Sequence, residues 1–239
     1  MNLSNRKLLN GISKVAFVGM AVALSSLAGK DCKEGLGTIL QKQDAIAAPK
    51  GNRVYFMHTL VEIEGVRQGY SKSEVKMLVG ENKVVYLSSL LNYYKDGLET
   101  YTIVHPHKLI TKSAGQQPSK EMAQRQQSVT ALRDSIFESC RLVECTSAAL
   151  QGKQLTKITL APKKESKIAV IRMIYFVDEK KQQVVKQEVH YPNGSALSKK
   201  TTTYLALDLN SKQRFLPTAK DYIYENGKLR KELENYSVE

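Results

Sequence analysis

Short segments in which apolar and polar residues alternate, separated by turn residues, fill most of the chain after residue 52. Alternation with a period of two is typical of β-strands that bury one face. The connections between segments include Gly80-Glu81-Asn82, Asp96-Gly97, Pro192-Asn193-Gly194 and Asn226-Gly227. Asn and Gly tolerate the positive φ that tight hairpins require. The sequence therefore predicts a mainly antiparallel β-structure.

About ten strands are predicted from this pattern. Their approximate ranges are 53–64, 73–79, 83–94, 98–104, 107–111, 154–161, 167–177, 183–191 and 200–209, followed by a last hairpin at 219–225 and 228–238. The segment 167–177 is apolar on both faces, so we expect a central strand that is covered on both sides.

Two segments have a helical period instead. An amphipathic helix is predicted from about Ser119 to Cys145, with Ser119 as its N-cap, and a further helical turn is predicted at 146–150. Its apolar positions are Met122, Val129, Leu132, Ile136, Cys140 and Val143. A shorter helix between Gly29 and Gly51 is predicted from a weak apolar stripe.

Together these elements predict a mainly β (α+β) fold. We expect a curved antiparallel sheet, or incomplete β-barrel, with the inserted amphipathic helix as a lid or plug. The predicted organisation is a signal peptide at 1–28, a short N-terminal helix and linker at 29–52, and one β-rich domain at 53–239. The helical insertion of that domain is 119–150.

The first 28 residues have the pattern of a cleavable secretory signal peptide. Arg6 and Lys7 precede an apolar run at 15–24, and small residues, Ser26 and Ala28, precede the expected cleavage point. The run is shorter than the roughly 20 apolar residues of a membrane span, so we expect cleavage after Ala28, with an uncleaved anchor as the alternative. Cys32 is not at the acylated position of a lipoprotein box. We therefore expect a periplasmic or secreted protein with no lipid anchor and no transmembrane segment after cleavage.

The chain is strongly basic, with a net charge of +13. Cleavage after Ala28 would remove three positive charges and leave +10. For an exported protein such a charge favours an anionic envelope surface as a partner, and no nucleic acid is expected. The lysine pairs are scattered along the chain, so a solvated surface is the simpler interpretation.

Residues that carry chemistry are few. Three cysteines, Cys32, Cys140 and Cys145, allow at most one intramolecular disulfide and leave one thiol. On a helix, Cys140 and Cys145 would point about 140° apart, which disfavours a bridge between them. No catalytic motif is present, so we predict no enzyme, no cofactor and no metal site. His105-Pro106-His107 places two imidazoles on one side of an extended segment, but Pro106 at a strand boundary explains these residues without a metal.

The order of elements from Ile168 to Leu209 resembles the outer-membrane lipoprotein carrier (LolA-like) family of half-barrel, lipoprotein-sorting proteins. A strand, the turn Asp178-Glu179-Lys180, the strand 184–189, a Pro-Asn-Gly turn and a further strand follow one another in the manner of that family. The resemblance implies an incomplete barrel whose apolar inner face shelters lipid or acyl chains, with the helix as a lid. The arginine that latches the lid in the carrier has no matching motif here, so no residue role is transferred.

The sequence thus predicts an exported binding protein that shelters a lipid or acyl chain, in lipoprotein or envelope lipid trafficking. The alternative is an envelope structural or interaction protein with a filled core. A lipid or an acylated protein is the expected partner. The predicted ligand-binding residues are Ile168, Val170, Ile174, Phe176, Leu205 and Leu207 on strands, with Leu132, Ile136 and Phe137 on the lid.

Overall fold

The computed structural model describes residues 30–44, 51–66, 69–114, 134–166 and 168–239, and the predicted signal peptide lies outside them. One long helix is α1 (Lys30–Asp44), and residues 134–138 form a further helical turn. The strands are β1 (Tyr55–Gly65), β2 (Gly69–Val79), β3 (Val84–Ser88), β4 (Leu91–Lys95), β5 (Glu99–Val104), β6 (Leu109–Ala114), β7 (Cys140–Leu150), β8 (Lys153–Pro162), β9 (Arg172–Asp178), β10 (Gln183–His190), β11 (Leu197–Asp208), β12 (Tyr224–Glu225), β13 (Lys228–Leu229) and β14 (Ser237–Val238). Short 3-10 helices are His105–His107, Ala219–Tyr222 and Lys231–Leu233.

Twelve of these strands form one curved, open sheet in the order β14-β6-β5-β4-β3-β2-β1-β11-β10-β9-β8-β7. Neighbours are antiparallel except for β14, which runs parallel to β6. Consecutive strands pair as hairpins within each half, and the pairing of β1 with β11 joins the halves. The predicted mainly β fold, a curved sheet that is not closed into a barrel, is therefore confirmed.

The helix predicted from Ser119 to Cys145 is wrong at its C-terminal end, and 119–133 lies outside the described residues. Helix ends at residue 138, and Cys140–Leu150 is strand β7, so the helical turn predicted at 146–150 is also wrong. β7 pairs with β8 along its length, which places Leu142 opposite Leu160 and Cys145 opposite Ile158. This long-range pairing outweighs a helical spacing that Cys140 and Val143 match by coincidence.

Three strand predictions also need correction. The segment 83–94 is two strands, because Ser88 Oγ accepts the Leu91 N–H at 3.0 Å and closes a turn. The strand predicted at 167–177 begins only at Arg172, since residues 163–166 and 168–171 lie in the connection from β8. The last predicted hairpin keeps only the two-residue strands β12 and β13, because a capping box at Thr218 starts a 3-10 helix there.

α1 covers one face of the sheet over β7–β10. Its buried residues Cys32, Leu36 and Ile39 recur every three or four positions, as one stripe of a helix. They pack against a cluster made by Cys140, Ile158, Leu160, Met173, Tyr175, Val177 and Val184. A disulfide joins Cys32 to Cys145, and Lys33 Nζ donates to the Cys140 carbonyl at 2.5 Å. We call this side of the sheet the α1 face and this cluster the α1 core.

A second core lies on the opposite face, over β2–β6. There Leu78, Val85, Tyr94, Tyr101, Ile103 and Ile110 pack against Ala219, Ile223 and Leu233 of the C-terminal segment, residues 211–239. Tyr204, Thr59, Val75 and Ser88 are successive Cα partners across β11, β1, β2 and β3, so their side chains all lie on the α1 face. Leu78 is three residues from Val75 and Val85 is three from Ser88, so strand alternation places both side chains on the opposite face. The two cores are thus separated by the sheet itself.

Candidate binding cleft

A cleft of about 550 Å³ opens on the face opposite α1, beside the turns 151–152 and 179–182. We call it the bulge cleft. Pockets that hold small molecules commonly have volumes of about 300–1,000 Å³. Its apolar lining residues include Leu60, Leu150, Leu155, Val185 and Leu205, and its charged ones are Glu62, Lys153, Asp178, Lys181, Lys186 and Asp208.

Two β-bulges in neighbouring strands shape this cleft. The pairing of β10 with β9 passes from Val184↔Val177 to Lys186↔Phe176, so Val185 has no partner in β9. The pairing of β11 with β1 passes from Tyr204↔Thr59 to Ala206↔His58, so Leu205 has no partner in β1. A bulge bends its strand and redirects a side chain. Both extra residues line the cleft, so its position follows from the backbone register.

The strand register places the cleft away from α1. Leu60, Thr203, Lys186 and Phe176 are successive Cα partners across β1, β11, β10 and β9, so their side chains share one face. The alternate residues of β9, including Tyr175, belong to the α1 core. Leu155 forms a wall of the cleft with 5% of its surface exposed, whereas Leu205 is 52% exposed. A large apolar side chain thus faces solvent at a depression of the sheet.

The carboxylates that line the cleft already have hydrogen-bond donors. Asp178 Oδ1 accepts the Lys181 N–H at 3.1 Å, and Asp208 Oδ1 accepts the Asn210 N–H at 3.0 Å. Glu62 accepts the Tyr70 hydroxyl.

The three lysines that line the cleft differ in whether they have an ion-pair partner. Lys186 Nζ lies 2.7 Å from Glu188 Oε1 and 5.4 Å from the centre of the Phe176 ring. Burial alone would raise the pKa of Glu188, but the hydrogen bond from Lys186 and its charge hold that pKa below its usual value. Among the residues that the structure describes, the side chains of Lys153 and Lys181 form no ion pair or hydrogen bond. The lining of the cleft thus carries three lysines and three carboxylates.

The predicted ligand-binding residues fall into two groups on the two faces of the sheet. Leu205 lines the bulge cleft, and Phe176 lies on the same face beside Lys186. Ile174 shares that face one row further along β9, where it is 8% exposed. Leu207 also borders the cleft, but its Cα partner in β1 is Met57, so its side chain lies on the α1 face, where it packs with Tyr55 and Val79.

The other group lies with α1. Ile136, Phe137 and Ile168 pack against the α1 core, and a Cβ on Gly37 would lie 3.4 Å from Phe137 Cε1. Val170 is partly buried in the connection before β9, and Leu132 lies outside the described residues. The sheet therefore separates Ile174, Phe176 and Leu205 from Ile136 and Phe137, the described residues of the predicted lid.

Sequence reasoning did not identify Leu60, Leu150, Leu155, Val185, Lys153 or Lys181 as site residues. Alternation identifies the strands, but a one-residue bulge changes neither composition nor apparent period enough to be recognised in one sequence. The predicted turn that contains Lys180-Lys181 was the one signal available for the lysines of the cleft.

Two further cavities flank the 134–138 helical turn. One, of about 410 Å³, lies between this turn and α1 and is lined by Lys33, Glu34, Asp134, Glu138, Gln41, Gly37, Leu40 and Phe137. The other, of about 520 Å³, is lined mainly by serines and charged side chains. Their polar linings suit an apolar ligand less well than the wall of the bulge cleft does.

The His105-Pro106-His107 segment forms a 3-10 helix, and His105 Nδ1 lies 2.9 Å from the Tyr236 hydroxyl. It therefore contacts the C-terminal segment. Within the described parts of the chain, no group of three or more His, Cys, Asp and Glu side chains is placed to hold a metal ion. In those same parts, no helix is both long enough and apolar enough to span a bilayer.

Comparison of the sequence with protein-family models and with curated proteins finds no match. Several solved structures have folds similar to that of this chain. Lipoprotein LppX from Mycobacterium tuberculosis has a TM-score of 0.41 and 13% identity over 74% of this chain and 99% of its own. LprF from Mycobacterium bovis has a TM-score of 0.40 and 10% identity over 78% and 97%. A LolA superfamily protein from Nitrosomonas europaea has a TM-score of 0.28 and 9% identity over 80% and 97%.

The structures similar to this chain thus include a member of the superfamily that the sequence resembles. At these TM-scores and identities, the likeness assigns no ligand, residue role or cellular location to this chain. The functional argument below depends on the chain's own geometry.

Proposed function

We propose that this chain is an exported, non-enzymatic binding protein that shelters the apolar chain of a lipid or an acylated protein, in lipid or lipoprotein traffic through the cell envelope. The observation that carries the proposal is the bulge cleft, which is lined both by the exposed side chain of Leu205 and by the buried side chain of Leu155. A depression of this size that exposes a large apolar side chain is typical of a ligand site.

The driving force would be the removal of apolar surface from water. Each methylene group buried in the cleft contributes about 0.8 kcal/mol. We therefore expect affinity to rise with the length of the ligand's chain until the cleft is filled, and then to level off. A surface without a defined depression would give no such plateau.

Export is the second part of the proposal and depends on residues 1–28. Cleavage after Ala28 would release a chain of net charge +10, which is suited to anionic envelope surfaces. Intact-mass measurement of the protein from its native host tests this directly. A mass that includes residues 1–28 would contradict cleavage.

Binding is tested with an environment-sensitive apolar dye and two matched variants. Leu205→Glu places a charge in the cleft, and Ile171→Glu does the same at a side chain of nearly equal exposure, 50%, outside the cleft. We expect Leu205→Glu to weaken dye binding about tenfold or more, because a carboxylate resists burial against an apolar ligand. Ile171→Glu should bind as the unaltered protein does, and equal binding by both variants would contradict the site.

The alternative function is an envelope structural or interaction protein. One observation favours it: α1 and Phe137 already fill the α1 face over β7–β10. Lipid mass spectrometry of the purified protein separates the two functions. Absence of co-purified lipid, together with absence of dye uptake, would contradict the carrier and favour the alternative.

A further inference from the structure

We infer that the edge of β7 at residues 146–150 pairs with the same edge of a second copy of this chain. The two chains would form one continuous antiparallel sheet about a two-fold axis at Ala148. The inference goes beyond the proposed function, because it assigns an interaction surface and its partner and does not depend on any ligand.

The two edges of the twelve-stranded sheet differ. At one edge, the end of the chain covers β6. The Ser237 N–H donates to the Lys108 carbonyl at 2.9 Å, and the Glu239 N–H donates to the Ile110 carbonyl, also at 2.9 Å. At the other edge, among the residues that the structure describes, β7 pairs with β8 alone. An edge that presents N–H and C=O groups of this kind is a template for a further strand.

The turn after β7 determines which backbone groups point outward. Both residues of Gln151-Gly152 have positive φ, 50° and 75°, as a two-residue hairpin turn requires. Such a turn bonds the residue before it to the residue after it, so Leu150 and, by alternation, Ala148 direct their N–H and C=O groups towards β8. Ser147 and Ala149 direct theirs away from the sheet.

This part of the edge is also accessible. α1 is joined to β7 near its first turn, by the disulfide at Cys32. Its last turn is over β10, where Gln43 Nε2 donates to the Val184 carbonyl at 3.3 Å. The helix therefore crosses the sheet away from the end of β7. Ser147 and Ala149, whose side chains alternate with that of Ala148, are exposed.

The residues at this edge lack the features that commonly prevent strand pairing. Edges are usually protected by proline, by lysine or by a bulge. Residues 144–150 contain no proline, lysine or arginine, and most of their side chains are small. The one charged side chain, Glu144, lies 2.9 Å from Lys157 Nζ. The bulge of β7 is at Val143, so the ladder from residue 144 to the turn is regular.

A two-fold axis at Ala148 gives a self-complementary register. Ala148 lies opposite Ala148 of the second copy, Ser147 opposite Ala149, and Thr146 opposite Leu150. The outward N–H and C=O groups of Ser147 and Ala149 then form four hydrogen bonds between the chains. In this register no charged side chain lies opposite another, so like charges do not oppose the pairing.

The covered edge at β6 explains why the partner is one further copy. A chain with two open edges could add copies end to end and form a fibre, whereas an isologous contact about a two-fold axis closes at two chains. Since the C-terminal residues cover β6, β7 of one chain cannot extend the sheet at β6 of the next. The axis is perpendicular to the sheet, so both bulge clefts would open on the same face of the dimer.

Sedimentation equilibrium of the purified chain over a range of concentrations tests the assembly. We expect the mean mass to rise from that of one chain to that of two, and no further. Ala149→Pro removes an N–H that β8 does not use, and a proline is tolerated at such an edge position. It should weaken dimerisation by about tenfold or more, because the dimer loses two hydrogen bonds. Ala149→Val keeps the N–H and is the matched control, which should dimerise as the unaltered chain does.

Cysteine cross-linking tests the register without relying on the proline variant. At the axis, the two Cα atoms of Ala148→Cys would be about 4.5 Å apart, within the range of a disulfide. Those of Ser147→Cys would be diagonal neighbours about 7–8 Å apart, beyond that range. On mild oxidation we expect Ala148→Cys to form a disulfide-linked dimer and Ser147→Cys to remain a single chain, as measured by electrophoresis without reductant.

Several results would overturn the inference. They are a chain that stays monomeric at its highest soluble concentration, assemblies larger than two, and equal dimerisation by Ala149→Pro and the unaltered chain. Equal cross-linking by the two cysteine variants would also overturn it, because the edges would then not be paired in this register. A monomeric chain that still takes up the apolar dye would leave the proposed function standing, so the two failures are distinguishable.

Discussion

Cys32 of α1 is bonded to Cys145 of β7 across a sequence separation of 113 residues. The bond attaches the helix to the edge strand of the sheet, and both sulfurs are part of the α1 core. The sequence allowed one disulfide without identifying its partners. The placement of Cys145 on a strand, on the face that α1 covers, makes this pairing possible.

Removal of this disulfide should destabilise the protein. For the double variant Cys32→Ser/Cys145→Ser we expect a loss of about 2–4 kcal/mol in the free energy of unfolding, because the bond restricts a long loop of the unfolded chain. Guanidinium unfolding monitored by circular dichroism measures it. The unaltered protein under reducing conditions should match the double variant, and an unchanged unfolding midpoint in both would contradict a structural role.

The remaining thiol, Cys140, should be inert in the folded protein. It is fully buried, and burial raises its pKa, so less of it is the reactive thiolate at pH 8. We expect iodoacetamide to leave the native protein unmodified and to add one group after unfolding in denaturant without reductant. Mass spectrometry counts the additions. Rapid alkylation of the native protein at Cys140 would show that this part of the core opens readily.

The ionisation of Asp96 should make the free energy of unfolding depend on pH. Its Oδ2 accepts the Ala219 N–H at 2.6 Å, and its Oδ1 accepts the N–H groups of Leu98 and Glu99, both at 2.9 Å. Burial alone would raise the pKa of Asp96, but these three bonds hold it below its usual value. The stabilisation is therefore complete above the unfolded-state pKa of about 3.9 and is lost as the pH falls through the lower, folded-state pKa.

The variant Asp96→Asn tests this dependence. We expect it to lose about 1–3 kcal/mol at pH 7, where the carboxylate is charged, and to differ less from the unaltered protein near pH 2. Asp208→Asn is a suitable control because Asp208 Oδ1 accepts one backbone N–H, from Asn210. Thermal unfolding at both pH values gives the comparison, and a penalty for Asp96→Asn that is independent of pH would refute the assignment.

Cavities made in the two cores, which lie on opposite faces of the sheet, should lower the free energy of unfolding independently of each other. Ile158 and Ile223 are both fully buried, the first in the α1 core and the second under the C-terminal segment. We expect Ile158→Ala and Ile223→Ala each to cost about 2–5 kcal/mol of unfolding free energy. Because they share no neighbours, the effects should add.

Limited proteolysis distinguishes the two variants further. Ile223→Ala should increase cleavage within residues 211–239, where the segment contacts the sheet through Ala219, Ile223 and Leu233. Ile158→Ala should leave that region as resistant as in the unaltered protein. Equal cleavage of the C-terminal segment in both variants would indicate that the cores are coupled.

Local sequence patterns predicted the elements whose structure depends on residues that are close together in the chain. The hairpin turns at Asp96-Gly97 and Asn226-Gly227 are formed as expected, and Gly97, Asn226 and Gly227 all have positive φ. α1 was predicted from its stripe at Leu36, Ile39 and Leu40. In each case residues within one or two turns carry the signal.

The errors concern residues whose structure depends on distant partners. The segment that begins at Cys140 has a spacing compatible with a helix, yet its pairing with β8 makes it a strand. The cleft depends on two one-residue register shifts, at Val185 and Leu205, that no local period records. The opposite placement of the two cores likewise follows from register carried across many strands.

The sheet order has a consequence for the way the chain acquires its structure. A polypeptide that emerges N-terminus first presents α1 and β1 early, but α1 needs β7–β10, and β1 needs β11, with Met57 opposite Leu207. The core on the face opposite α1 is complete only when Leu233 is available. Neither half can therefore finish before almost the whole chain is available, and non-local pairings of this kind are slow to form. During that delay the apolar faces of the strands are exposed, and the unfinished chain is prone to aggregate until the last segment arrives.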